Sequence, residues 1–228
     1  MSYDALGGFT ALYRSFLRVN KGSKVAICSE NRPEWAYALL GAWAAGAIVV
    51  PIDYMSVASD IAYILDDCRP EVIFHSKDCA EAVREGVGQV EGDYHPSLLG
   101  FDDLTDTPMA GKESLPAFDP QETALIMYTS GTTGGPKGVM LSFDNLLANI
   151  EAVTEYSRIY TRDHRVMQLL PSHHILPLMG TILAPLSVGA TIVICPKISS
   201  EAILETLQRH AITIMVGVPR LYSMMAGG

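Results

Sequence analysis

Strand-length apolar runs alternate with helix-length amphipathic stretches from about residue 24 onward, and no other feature constrains the fold as tightly. Residues 24–28, 47–51 and 72–75 read as short strands, while 33–45 and 57–67 between them carry helical spacing. A chain that must return over a sheet through a right-handed helical crossover lays its next strand parallel to the last. The expected class is therefore α/β, with mainly parallel sheets layered with helices. Pro33 suits the first turn of its helix, where its missing N–H would have no intrahelical partner.

Other segments extend this reading. Leu6, Phe9, Tyr13, Phe16 and Leu17 share a helical face within residues 3–18. Between 86 and 120 the pattern lapses into Gly, Pro, Asp and Thr, which predicts little regular structure and a possible subdomain seam. The alternation resumes with a strand over 123–128, a Gly/Thr loop, and a helix from about Ser142, its N-cap, to Tyr156. Residues 165–169, 191–195 and 212–216 read as strands, with helical stretches around 177–187 and 200–210.

Composition narrows the function classes. Hydrophobic residues make up 49% of the 228 and charged residues 18%, ample for a buried core and unlike a disordered chain. Twenty-five acidic against sixteen basic side chains give −9, and no Lys/Arg-rich run tracks a phosphate backbone, which argues against nucleic acid as a partner. Cys28, Cys68, Cys79 and Cys195 form no C-x-x-C pair and read as reduced thiols. Met1 to Phe9 lack a basic segment followed by an apolar one, so the expected location is cytoplasmic.

Two uncharged runs call for a membrane test: the 18 residues 35–52, and 166–196. The first divides into a helix and a strand before Pro51. The second is interrupted by Pro171, Pro177, Gly180, Pro185 and Gly189 and carries His173 and His174, a poor composition for a lipid-facing helix.

The segment richest in chemistry is Tyr128-Thr129-Ser130-Gly131-Thr132-Thr133-Gly134-Gly135-Pro136-Lys137-Gly138, directly after a buried strand. Its glycines let backbone N–H groups converge on an anion, Thr129, Ser130, Thr132 and Thr133 supply adjustable hydroxyls, and Lys137 supplies a point charge suited to polyphosphate. A Walker A loop ends in Gly-Lys-Ser/Thr, whereas here Pro136 precedes Lys137 and Gly138 follows it. The competing reading is a surface turn of small residues.

At these residues the chain resembles the adenylate-forming superfamily of acyl-CoA synthetases, luciferases and peptide-synthetase adenylation domains. Thr129 to Gly138 match its Ser/Thr/Gly run ending in Pro-Lys-Gly. Ser29-Glu30-Asn31-Arg32-Pro33-Glu34-Trp35 and Gly46-Ala47-Ile48-Val49-Val50-Pro51 are similar to its early segments, particularly in long-chain fatty acid-CoA ligases, and Val218-Pro219-Arg220-Leu221-Tyr222 to a later one. The resemblance implies ATP-dependent conversion of a carboxylic acid, a fatty acid in that branch, to an acyl-adenylate and then a coenzyme A thioester. It implies phosphate binding by Thr129, Ser130, Gly131, Thr132, Thr133, Gly134 and Lys137, with Thr129 also a ligand for Mg2+. A lipid substrate would bring peripheral membrane contact; oligomeric state is left open.

Leu170-Pro171-Ser172-His173-His174 is similar to a family motif of Pro, two variable residues and His, which selects His174 for the substrate pocket. Successive side chains diverge on a helix or strand, so the pair is a poor chelate for one metal; read alone, it is equally one buried and one exposed histidine. Phe143 stands where the family often has His, and Ser172-His173 replaces a more apolar pair. The family's adenine segment, ribose-binding Asp, hinge and catalytic Lys would follow Gly228. Residues 1–228 thus read as a partial N-terminal AMP-binding domain, with the C-terminal domain and catalytic residues absent. The alternatives are a non-catalytic ligand-binding or scaffolding module, and an adenylating enzyme for another acid such as an amino acid.

Overall fold

A computed structural model describes residues 1–104, 107–108, 118–129 and 135–226. The chain divides into two compact units, Met1–Asp144 and Asn145–Gly228.

In the first unit, α1 (Tyr3–Phe16) precedes β1 (Lys24–Cys28), α2 (Pro33–Ala44), β2 (Ile48–Ile52), α3 (Ala58–Cys68), β3 (Val72–His75), α4 (Ala80–Gln89) and β4 (Ser97–Gly100). After a 3-10 turn at Phe101–Asp103 come β5 (Thr123–Thr129) and β6 (Lys137–Ser142), with α5 (Phe143–Glu151) following. The sheet runs β4-β3-β1-β2-β5-β6. Its β1, β2, β3, β4 and β5 pair in parallel, as the alternation requires, and β6 pairs antiparallel with β5.

Strand alternation divides the core between two faces. Ala26, Cys28, Val50, Ile52 and Ile73 pack with Ile61, Ile64 and Leu65 of α3 and Val83 of α4. On the other face, Phe74 lies 5.7 Å from the Tyr13 ring of α1 and stacks on Phe101 at 5.6 Å. Both helix pairs use glycine for close approach: a Cβ at Gly41 would come within 2.8 Å of Tyr13 Cβ, and one at Gly86 within 2.8 Å of Ile61 Cγ2.

In the first unit, three elements depart from the sequence expectation. Residues 86–120 were expected to hold little regular structure, yet α4 reaches Gln89 and β4 occupies Ser97–Gly100. Gly86, at the start of that stretch, lies in α4 and forms the α3–α4 contact. One sheet runs through this stretch, with β3 before it, β4 within it and β5 after it. β6 was also not anticipated: Val139 and Met140 are exposed at the sheet edge, so the strand shows no burial pattern of its own and depends on pairing with β5.

The second unit contains β7 (Arg165–Gln168), α6 (Ile175–Pro177), a π-helical run (Leu178–Leu183), α7 (Ala184–Ser187), β8 (Thr191–Ile194), α8 (Ser200–Arg209), β9 (Ile214–Met215) and α9 (Pro219–Ala226). Its parallel sheet has the order β8-β7-β9. Met167 and Leu169 pack with Ala202 and Ile203 of α8, while Val166 packs with Tyr160 and Ala184. The helix after β6 is α-helical only to Glu151 and continues as a π-helical run, Ala152–Tyr156. The helix α9 was not anticipated. Among the described residues, no helix is long and apolar enough to cross a membrane.

Candidate functional site

The Gly/Thr segment is the connection of the β5–β6 hairpin. Thr129, the last residue of β5, sits in register with Lys137, the first of β6, and Tyr128 with Gly138. Both Thr129 and Lys137 are exposed, so a hydroxyl and a cation flank the mouth of the loop from opposite strands. Ser130, Gly131, Thr132, Thr133 and Gly134 lie outside the described residues. Thr129 offers one neutral oxygen toward Mg2+, an ion that takes carboxylates together with substrate phosphates. Among the described residues, no group of three His, Cys, Asp or Glu side chains could hold a metal. Thr129 thus fits only as one contact to an ion carried mainly by a nucleotide.

The hairpin is braced by α3 in a way the motif does not reveal. Tyr128 Oη donates to Asp67 Oδ2 at 2.5 Å, and a Cβ at Gly135 would lie 2.5 Å from Tyr63 Oη, so the hairpin backbone passes against that ring. Tyr63 and Asp67 are four residues apart and share a helix face. Burial, reinforced by the Asp67 carboxylate, pushes the Tyr128 phenol well above its ordinary value. Neighbouring Cys68 is pushed up to about 11, mainly by burial. The available sequence signal was the i,i+4 polar pair on a helix preceding the loop, which becomes meaningful only once α3 lies beside β5.

His174 belongs to the second unit, in the turn that follows β7. His174 N–H donates to the Pro171 carbonyl at 3.3 Å, and the His174 carbonyl accepts from Leu178 N at 3.1 Å. Gln168 Nε2 donates to Ser172 Oγ at 2.6 Å, fixing the start of the turn from the end of the strand. His173 is buried and His174 exposed. Their rings do not diverge: the Nε2 atoms are 3.1 Å apart and the centroids 4.1 Å. The expected divergence applies to helix or strand geometry, whereas these residues occupy a turn. A hydrogen bond between the two Nε2 atoms requires one ring to donate and the other to accept, and the tautomer decides which.

In open α/β sheets, ligands bind outside the carboxyl ends of the strands where connections reverse direction. In this unit the order β8-β7-β9 puts that reversal between β7 and β9. The histidine turn follows β7, and Gly217 follows β9. A Cβ at Gly180 would meet Val216 Cγ2 at 3.3 Å, so the π-helical run packs close beside the exit of β9.

The model of a family described as "AMP-binding enzyme" matches residues 11–227, and so takes in both the hairpin loop and the histidine turn. The chain belongs to this family. A sulfoacetate–CoA ligase from Cupriavidus necator is 32% identical over 212 residues, covering 91% of this chain and 41% of that protein. An indoleacetate–CoA ligase from Aromatoleum aromaticum is 30% identical over 235 residues, covering 99% and 46%. The chain spans less than half the length of these curated relatives. Among solved structures, the inhibitor-bound N-terminal domain of FACL13 from Mycobacterium tuberculosis superposes with a TM-score of 0.86 at 24% identity, covering 98% of this chain and 56% of that one. A structure titled as a putative long-chain-fatty-acid CoA ligase from Rhodopseudomonas palustris gives 0.82 at 26% identity, with 98% and 58% covered. The likeness to FACL13 establishes the AMP-binding fold alone.

Proposed function

We propose that this protein takes part in ATP-dependent activation of a carboxylic acid and its transfer to coenzyme A. A carboxylate oxygen attacks the α-phosphorus of ATP, the bond to pyrophosphate breaks, and the acyl-adenylate then loses AMP as the coenzyme A sulfur attacks the acyl carbon. The observation that carries this reading is the Thr/Ser/Gly loop between Thr129 and Lys137 on a strand-paired hairpin, in a chain of the AMP-binding family. Such a reaction gains chiefly from preorganised donors around the leaving phosphates, the service a loop of backbone amides, hydroxyls and one lysine can render. His174 is assigned to the substrate side, Thr129 to a contact with nucleotide-borne Mg2+, and the setting is taken as cytoplasmic.

The finer reading, a fatty acid as substrate, is supported by the 26% likeness to the Rhodopseudomonas palustris protein. The curated relatives are named for sulfoacetate, malonate and indoleacetate, which sets the comparison acids.

Calorimetric titration of Mg-ATP into the parent chain and a folded Lys137→Ala variant tests the loop. The parent should bind about tenfold or more tightly, since a charge-assisted contact is worth about 1.5–3 kcal/mol. Equal affinity would remove Lys137 from the phosphate site. Repeating the titration with saturating palmitate, malonate, indoleacetate or sulfoacetate tests the acid, and tightening only by malonate or sulfoacetate would overturn the fatty acid reading.

A further inference from the structure

The order β2-β1-β3 places a connection reversal between β1 and β3 of the first sheet, and two thiols meet at the carboxyl ends of these strands. Cys28 ends β1; Cys79 follows β3 and occupies the N-cap position of the ten-residue α4. Backbone hydrogen bonds hold the approach: Ser76 N–H donates to the Cys28 carbonyl at 3.2 Å, and Cys79 N–H to the Ser76 carbonyl at 3.2 Å. The side chains face the same wall, with Cys28 Sγ 3.9 Å from the Asp53 carbonyl and Cys79 Sγ 3.6 Å from the Tyr54 carbonyl. Ser76 Oγ donates to Cys79 Sγ at 3.3 Å, and the Cys28 thiol lies within hydrogen-bonding reach of the same sulfur.

We propose that Cys28 and Cys79 form a reversible thiol–disulfide site, closed by a peroxide of water-like size. Cys79 is the attacking sulfur. The hydrogen bond from Cys28 pulls its thiol below the ordinary value, with help from Ser76 and against burial, Glu30 and Asp78. Cys28 is held in its protonated form by donating that hydrogen bond, by burial, and by Asp53 and Glu30. Cys79 sulfur attacks one peroxide oxygen, the O–O bond breaks, and water leaves with the thiol proton, giving a sulfenic acid. Cys28 sulfur then attacks the Cys79 sulfur, the S–O bond breaks, and hydroxide leaves with the Cys28 proton as a second water. Two thiols are oxidised by two electrons, and one peroxide is reduced to two waters. Cys28 and Cys79 are buried, at 1% and 3% exposure, so a bulky oxidant such as glutathione disulfide is excluded from the native protein.

The folded chain is treated with hydrogen peroxide, its remaining thiols are alkylated in denaturant, and it is digested with trypsin and a glutamate-specific protease. That pair of enzymes puts Cys28, Cys68 and Cys79 on separate peptides, because Lys24, Glu30, Glu34, Glu71, Lys77 and Glu81 provide the cuts. The expected result is loss of two of the four thiols, the peptides of Cys28 and Cys79 joined, and recovery of both thiols with dithiothreitol. Glutathione disulfide should leave all four alkylatable. Four free thiols after peroxide, or a crosslink containing Cys68 or Cys195, would overturn the proposal. In a Cys28→Ser chain, dimedone should trap the sulfenic acid on Cys79; in Cys79→Ser, Cys28 should stay unlabelled. Labelling in the reverse pattern would overturn the assignment of Cys79 as the attacking sulfur. The parent crosslink reads the pairing without either variant.

Discussion

The two sheets of this protein share a parallel α/β logic but differ in how fully their strands are enclosed. β1 and β2 are buried at every position after the first, and β3 throughout, whereas β8 begins exposed and is otherwise half-buried, as is all of β9. The reason is partly arithmetic. Six strands in the first sheet leave four with neighbours on both sides, while three strands leave only β7. The first sheet also has a helix pair on each face, with glycine contacts closing both pairs. Enclosure by close packing and exposure at strand edges should therefore respond differently to substitution.

The largest contrast should come from the cores. Phe74→Ala, in the aromatic cluster of the first sheet, should cost about 3–5 kcal/mol by lost burial and cavity formation. Met215→Ala in half-buried β9 should cost clearly less. Urea titrations of both variants check this, and equal losses would break the comparison. Gly41→Ala comes next: the added methyl meets Arg14 N and Tyr13 Cβ, neither the far end of a flexible side chain, so α1 must shift. Overpacking of this kind costs about 1–3 kcal/mol, and a midpoint unchanged from the parent would show that the α1–α2 contact is looser than its geometry indicates.

The hairpin brace sharpens the comparison through pH. The phenol of Tyr128 titrates above its ordinary value of 10.0 in the folded state, so the folded chain holds that proton more tightly than the unfolded one. The resulting stability is fully present below pH 10.0 and declines as pH rises above it. Cys68 acts in the same direction from its ordinary value of 9.0 up to about 11. Tyr128→Phe should lower neutral-pH stability by about 1 kcal/mol, given the exposure of Asp67, and should flatten the alkaline decline. An unchanged alkaline slope would remove Tyr128 from that effect.

The smallest effect should be the most even. Ser2 accepts from Ala5 N–H at 3.2 Å at the start of α1, and Ser199 accepts from Ala202 N–H at 3.2 Å at the start of α8. Substituting either by alanine should cost about 1 kcal/mol, because a helix cap satisfies one orphan donor whichever sheet its helix covers. Unequal losses in thermal melts would show that the enclosure difference extends to the helix ends.

Much of this architecture was legible in the chain. The strands Lys24–Cys28 and Val72–His75 were read to the residue, and the helices Pro33–Ala44 and Ala58–Cys68 to within about one position, which is typical precision for element ends, whereas α4 was not read. Thr129 and Lys137 could be singled out because residue type and spacing carry the chemistry of anion binding. Tyr63 and Asp67 could not, since an exposed tyrosine and a carboxylate on a helix are ordinary until β5 places Tyr128 beside them. The histidine rings were expected to diverge because successive side chains do so in regular structure, and the turn after β7 removed that condition.

By itself, the sequence determined the α/β class, the parallel pairing of most strands and the place of the Gly/Thr loop, because hydrophobic period and glycine content are local properties. Only the tertiary structure decided that Gly86 closes a helix contact, that exposed Val139 and Met140 belong to a strand, and that Cys28 meets Cys79. Each of those outcomes depends on a partner distant in the chain, and no local pattern encodes which partner arrives.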